Sequence, residues 1–167
     1  MRILYVGSGI TLSPDGNAFH TGIVTATSVT GVGTVTSVTA SGIDLSGLLR
    51  EGVKITAGKL SDNTNIDLEN GMVHLFTTQE TTTSTPNIRF SSSVTLNDVM
   101  QIGESIAVTI ITTAASGGYS AQLTIDGAAV TENWVGGSAP SDGGSSGVDI
   151  HAYTIIKTAS ATFTVIG

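Results

Sequence analysis

The side chains able to do chemistry are few and widely spaced. His20, His74 and His151 are the three histidines, and none stands in an H-x-H or H-E-x-x-H spacing that would bring two imidazoles onto one metal ion. There is no cysteine, which excludes disulfides and thiolate metal sites. A serine nucleophile elbow needs G-x-S-x-G on a strand-to-helix turn; "GGSAP" at 136–140 lacks the second glycine, and "GGSSG" at 143–147 has the spacing but does not stand on a strand-to-helix turn. "GVGTVTSV" at 31–38 has no third glycine and no helix to follow, so it is no phosphate cradle. In "SDNTNIDLENG" (61–71) the oxygens of Asp62, Thr64 or Asn65, Asp67 and Glu69 alternate as in a loop for a hard cation. The glycine at six and the bidentate glutamate at twelve of a calcium loop are missing, and turn chemistry accounts for the stretch. The expectation is a protein without catalytic residues, metal or cofactor.

What remains for recognition is the single tryptophan. Trp134 precedes a loop, Gly136 to Gly147, that holds five glycines and offers serine hydroxyls, backbone groups and Asp142. An aromatic face beside such groups is how a sugar ring is often held. Trp134, Tyr119, Gly136, Gly137, Ser138 and Asp142 are therefore the candidate contacts to a surface glycan. The competing reading puts Trp134 in the core. Asp126-Gly127 lies between two alternating runs and predicts a two-residue type I′ hairpin. Its register sets Ile125 opposite Ala128, Leu123 opposite Val130, Ala121 opposite Glu132 and Tyr119 opposite Trp134. That arrangement would make an aromatic cross-strand pair and leave Glu132 on an apolar face.

The elements that must position these residues are β-strands. The chain has 167 residues, with 26 threonines, 19 serines and 21 glycines, and only 11% of it is charged. Roughly a quarter of an average domain is charged, and threonine suits a half-buried pleated surface. Strands are predicted at 72–78, 87–91, 105–113, 119–125, 128–134, 149–158 and 161–167, separated by turn residues. This spacing predicts an all-β, antiparallel sandwich or jelly-roll-like domain over 71–167. Residues 51–70 read as a linker, with one helical turn expected within 43–58. Residues 1–50, where "TATSVTG" and "TVTSVTA" repeat nine residues apart, read as an extended arm. Such an arm cannot offset its own ordering entropy and needs a partner surface. Attachment to other proteins and self-association follow as expectations.

The net charge is −7, and residues 60–167 hold ten acids against Arg89 and Lys157. That is the opposite of a nucleic-acid footprint. The start, "MRILYVGSG", has too short an apolar run for a secretory or membrane-spanning segment, so synthesis in a cytoplasm without membrane insertion is expected.

Two stretches carry a resemblance. "LYVGSGITLSPDGNAFHTGIVTATSVTG" (4–31) resembles the amino-terminal, fibre-like segments of virion proteins in tailed phages of marine cyanobacteria. "IDGAAVTENWVGGSAPSDGGSSGVDIHAYTIIKTASATFTVIG" (125–167) resembles the carboxy-terminal module that closes many of them, through W-V-G-G-x-A-P at 134–140 and D-I-x-x-Y-T-I-I-K-T at 149–158. The resemblance implies a structural virion component, typically trimeric: a short tail fibre, tail adaptor or baseplate appendage. It would be assembled in the host cytoplasm and attached to other virion proteins through residues 1–50. A capsid decoration or head-fibre protein and a carbohydrate-binding receptor module are the alternatives.

Overall fold

The structure, a computed structural model, describes Ile10–Leu12, Ala18–His20, residues 46–48 and residues 50–167. The chain divides into two compact units, Met1–Leu45 and Ser46–Gly167. The arm expected over residues 1–50 lies mostly outside the described residues. Within the first unit, β1 (Ile10–Leu12) pairs antiparallel with β2 (Ala18–His20).

The second unit is almost entirely β. Its strands are β3 (Val53–Thr56), β4 (Asn65–Asp67), β5 (Val73–Gln79), β6 (Asn87–Arg89), β7 (Ser105–Thr113), β8 (Thr124–Ile125), β9 (Ala128–Ala129), β10 (Glu132–Asn133), β11 (Val148–Ala159) and β12 (Thr162–Ile166). They form a six-stranded sheet, ordered β10-β12-β11-β7-β5-β3, and a four-stranded sheet, ordered β4-β6-β8-β9. Strand direction corrects the expected antiparallel pairing. β3, β5 and β7 run parallel in the large sheet, as do β4, β6 and β8 in the small one, and β10 runs parallel to β12. Parallel neighbours need a crossover between them. From β3 to β8 each crossover is a strand of the other sheet, so the chain alternates between sheets there, whereas β10 reaches β12 through β11 of the same sheet. Short polar turns are compatible with hairpins and with such winding alike. Antiparallel pairs enter with β8–β9, β7–β11 and β11–β12.

Residues 51–70 are part of this unit and not a linker. They hold β3, β4 and two single-turn 3-10 helices, Leu60–Asp62 and Leu68–Asn70, and they bury Leu60, Ile66 and Leu68. The helical turn expected within 43–58 is absent from the described residues there, and Val53–Thr56 is a strand. Among the described residues the one α-helical turn, α1 (Leu96–Val99), is capped by Thr95, whose Oγ1 accepts from the Asp98 amide at 3.1 Å.

Both sheets feed one core. Ile66, Ile88 and Ile125 stand in register across β4, β6 and β8 and are 0%, 0% and 2% exposed. Opposite them in the core cluster are Phe76, Val108, Ile110, Tyr153, Ile155 and Val165 of the large sheet. Each such aliphatic contributes about 1.5–3 kcal/mol relative to an exposed position.

Candidate functional site

The hairpin turn forms as its sequence demands. Asp126 and Gly127 both take positive φ, 51° and 80°, and Ile125 faces Ala128. The predicted ladder stops after Thr124–Ala129. Tyr119 and Trp134 are not partners, which corrects that expectation. The reason is Glu132: its carboxylate accepts the Leu123 amide at 2.6 Å, and a backbone donor serving a side chain cannot continue a ladder. The chain leaves the small sheet there and joins the large one as β10.

Trp134 consequently meets different neighbours. Its ring lies edge-on to Tyr153, with centroids 6.1 Å apart and planes at 66°, a favourable aromatic geometry. It also covers the Cα of Gly167, where an added Cβ would fall 2.7 Å from Cζ3. Trp134 is half-buried and packs on the core. Beyond it the chain turns at Gly136 and Gly137, both at positive φ, with the Gly137 amide donating to the Trp134 carbonyl at 2.9 Å. Gly136, Gly137, Ser138 and Asp142 are exposed. Tyr119 is half-buried and lines a separate groove of about 310 Å³ with Thr83, Ser84, Thr85, Ala121, Gln122 and Ala139. The six candidate contacts are thus not one site around the tryptophan.

Several carboxylates are engaged within the fold. Glu80 accepts from the Leu60 and Ser61 amides, and Asp149 accepts from Gly144 through both oxygens. Asp126 accepts from Leu96 at 2.7 Å and Asn97 at 3.0 Å, at the start of α1. At its other end the buried Lys157 ammonium donates to the carbonyls of Asn97 at 2.5 Å and Met100 at 2.8 Å. Helix α1 is held by a carboxylate at its positive end and an ammonium at its negative end. The motif residues Asp149, Tyr153 and Lys157 thereby all have folding roles. In the 61–71 stretch, Asp62 pairs with Lys59 and Asp67 with Arg89, while Asn65 accepts from Asn87. A cleft of about 390 Å³ adjoins them, but its Asn63, Asn65, Asp67 and His74 side chains already hold internal hydrogen bonds or ion pairs. Among the described residues no group of three His, Cys, Asp or Glu side chains is placed to hold a metal. No described helix is long and apolar enough to cross a membrane.

Burial sets the titration of His74 and His151. It lowers the His74 imidazole, opposed by the Gly71 carbonyl at 3.1 Å and by Asp67, and it lowers His151, opposed by Asp149. Burial pushes the Tyr153 phenol up.

The surface that the fold leaves without an internal explanation is the outer face of the six-stranded sheet. Alternation along each strand sends Phe76, Val108, Ile110, Tyr153 and Ile155 inward and their neighbours outward. The register aligns the outward residues into rows. Ile55, Leu75, Ile111 and Ile150 face one another in turn across β3, β5, β7 and β11, and Val53, Val73, Thr109 and Ala152 form the next row. Ala107, Thr154 and Ile166 continue the face across β7, β11 and β12. No residue of these rows carries a charge. Ile55 and Ile150 are each 63% exposed, Val53 and Val148 about half. The two rows with the flanking level span about 19 by 20 Å, on the order of 400 Å², within the range of the largest apolar patch on an ordinary monomer, which is often functional. Strand alternation was visible in the sequence, but the row was not. It exists only because β3 and β5 join β7 in parallel register.

Comparison with protein-family models, curated proteins and solved structures gives no match for this chain.

Proposed function

We propose that the chain is a non-enzymatic structural component of a phage virion, acting as a homotrimer within a short tail fibre, tail adaptor or baseplate appendage. One observation carries the structural class: the uncharged, aliphatic outer face of the large sheet on a chain whose net charge is −7. A protein that worked alone in water would gain nothing from that face. A protein that works by assembly needs it. The body, read as a β-sandwich of mixed strand direction, supplies the rigid part. The resemblance of 4–31 and 125–167 to cyanophage virion segments supplies the particle, and the arm at 1–50 supplies attachment to neighbouring virion proteins.

The carbohydrate-binding alternative is left with a half-buried Trp134 ring, engaged by Tyr153 and Gly167. Capsid decoration differs from the tail reading only in location. Density-gradient purification of particles from a lysate containing the chain tests the proposal. The chain is expected to band with intact particles, and antibody labelling is expected at the tail. A chain left wholly in the soluble fraction would contradict the virion role. Label on the head would move it to the capsid.

A further inference from the structure

We propose that the cleft between β3 and β4 binds a uronate, a sugar bearing one carboxylate, with that carboxylate on Lys54 and Asn65 and its hydroxyls on Asn63 and Asn70. The site is separate from Trp134 and its loop, and it does not depend on the virion role.

The cleft, of about 390 Å³, lies where both sheets end, since β3 and β4 are their edge strands. Its volume falls within the range of small-ligand pockets. Lys54 stands in register with His74, so alternation sends its side chain to the cleft side of β3. Among the described residues Lys59 and Arg89 are held in ion pairs, and Lys157 is held by backbone carbonyls. Lys54 has neither kind of partner there, although the chain carries −7. The neighbouring groups leave its charge standing. Asp67 is paired with Arg89, and His74 is held toward its neutral form chiefly by burial. One uncompensated ammonium suits one carboxylate.

The amides decide what carries that carboxylate. Asn63 Nδ2 donates to the Lys59 carbonyl at 2.8 Å and Asn70 Nδ2 to the Asp67 carbonyl at 3.4 Å, which leaves both Oδ1 atoms as acceptors. Asn65 is turned the other way: its Oδ1 accepts from Asn87 at 2.9 Å, and Nδ2 is the donor left over. Thr56, which also lines the cleft, adds a hydroxyl that both donates and accepts. A bare inorganic anion brings nothing for the two Oδ1 atoms to accept. A neutral sugar leaves the Lys54 ammonium without a counter-charge. A uronate answers both, because its hydroxyls donate to Asn63 and Asn70 while its carboxylate accepts from Lys54 and Asn65. Ile55 and Phe76 give the C–H face of the pyranose an apolar wall.

Saturation-transfer NMR titration of the purified full chain tests the site. The probes are sodium galacturonate, sodium glucuronate and trigalacturonate, with galactose and acetate as the two halves of the ligand. At least one uronate is expected to bind about tenfold or more tighter than galactose or acetate, the worth of one charge-assisted hydrogen bond. Tighter binding of the trimer would place the uronate within a polysaccharide, and tighter binding of a free acid would place it outside one; either supports the site. Lys54→Gln, at an exposed position, is expected to erase the advantage of galacturonate over galactose with unchanged far-UV circular dichroism. Asn70→Ala is expected to weaken uronate binding and leave acetate unchanged, and it decides the matter should Lys54→Gln misfold. Acetate binding as tightly as every uronate would overturn the hydroxyl contacts, and galactose doing so would overturn the carboxylate contact. No uronate binding, or binding that both variants leave intact, would overturn the site itself. None of these readouts involves particles, so failure of the virion role and failure of the site are told apart.

Discussion

The two sheets share a core and differ on their outward sides. On the small sheet the outward residues are Asn65, Asn87 and Thr124 in one row and Asp67 and Arg89 in the next. They satisfy one another laterally: Asn87 Nδ2 donates to Asn65 at 2.9 Å, Asn87 Oδ1 accepts from Thr124 Oγ1 at 2.9 Å and from the Gly127 amide at 2.8 Å, and Arg89 pairs with Asp67. That face is complete against water. On the large sheet the equivalent positions hold Ile55, Leu75, Ile111 and Ile150, with no polar partner to meet. On the proposal of an assembling protein, the difference is that between a surface finished within one chain and a surface finished by another. An exposed β-sheet face is ordinarily polar, so the aliphatic one is the informative one.

Isoleucine truncation separates the two roles most strongly. Ile88→Ala, inside the small sheet and fully buried, should cost about 2–5 kcal/mol of folding stability in denaturant titration. Ile111→Ala, outside the large sheet, should leave monomer stability within about 0.5 kcal/mol yet make the assembly dissociate at higher concentration. If both variants simply lose stability alike, the contrast between the faces fails.

Trp134→Ala should cost about 2–3 kcal/mol, less than a fully buried aromatic because the ring is half-buried. It should be non-additive with Tyr153→Ala and additive with Tyr119→Ala, since the contact is with Tyr153. Asn87→Ala on the small sheet should cost about 1–2 kcal/mol through its lateral hydrogen bonds and leave association unchanged by native mass spectrometry.

The smallest effect is that of pH. His74 and His151 flank Ile110 on the core side of the large sheet, and burial lowers both. The unfolded chain binds protons near pH 6.5 before the folded one does. Their contribution is therefore complete above about pH 6.5 and is lost as pH falls below it. Melting temperature should decline over that window in wild type and less in His151→Asn. A flat profile would mean that these imidazoles titrate as if exposed.

Much of the fold was legible in residue patterns. Alternation set β7 at 105–113 to the residue and β11 within one, and Asp126-Gly127 announced its turn. What was not legible depends on contacts distant in sequence. β3 was hidden in a stretch resembling a helical turn, because four residues, Val53–Thr56, are too few to establish a period. Glu132 gave no sign that it would take the Leu123 amide and end the hairpin. The aliphatic row depends on parallel register among β3, β5 and β7, and a sequence does not display register between strands that are not neighbours in the chain. Trp134 drew attention as the rarest aromatic side chain, while the outer face of the large sheet is made mostly of common aliphatic residues.

The mass of the intact chain in solution, measured by native mass spectrometry from nanomolar to micromolar concentration, tests the account most directly. A homotrimer at micromolar concentration that Ile111→Lys reduces to folded monomer is the predicted result. A wild-type chain that stays monomeric across the range would contradict it.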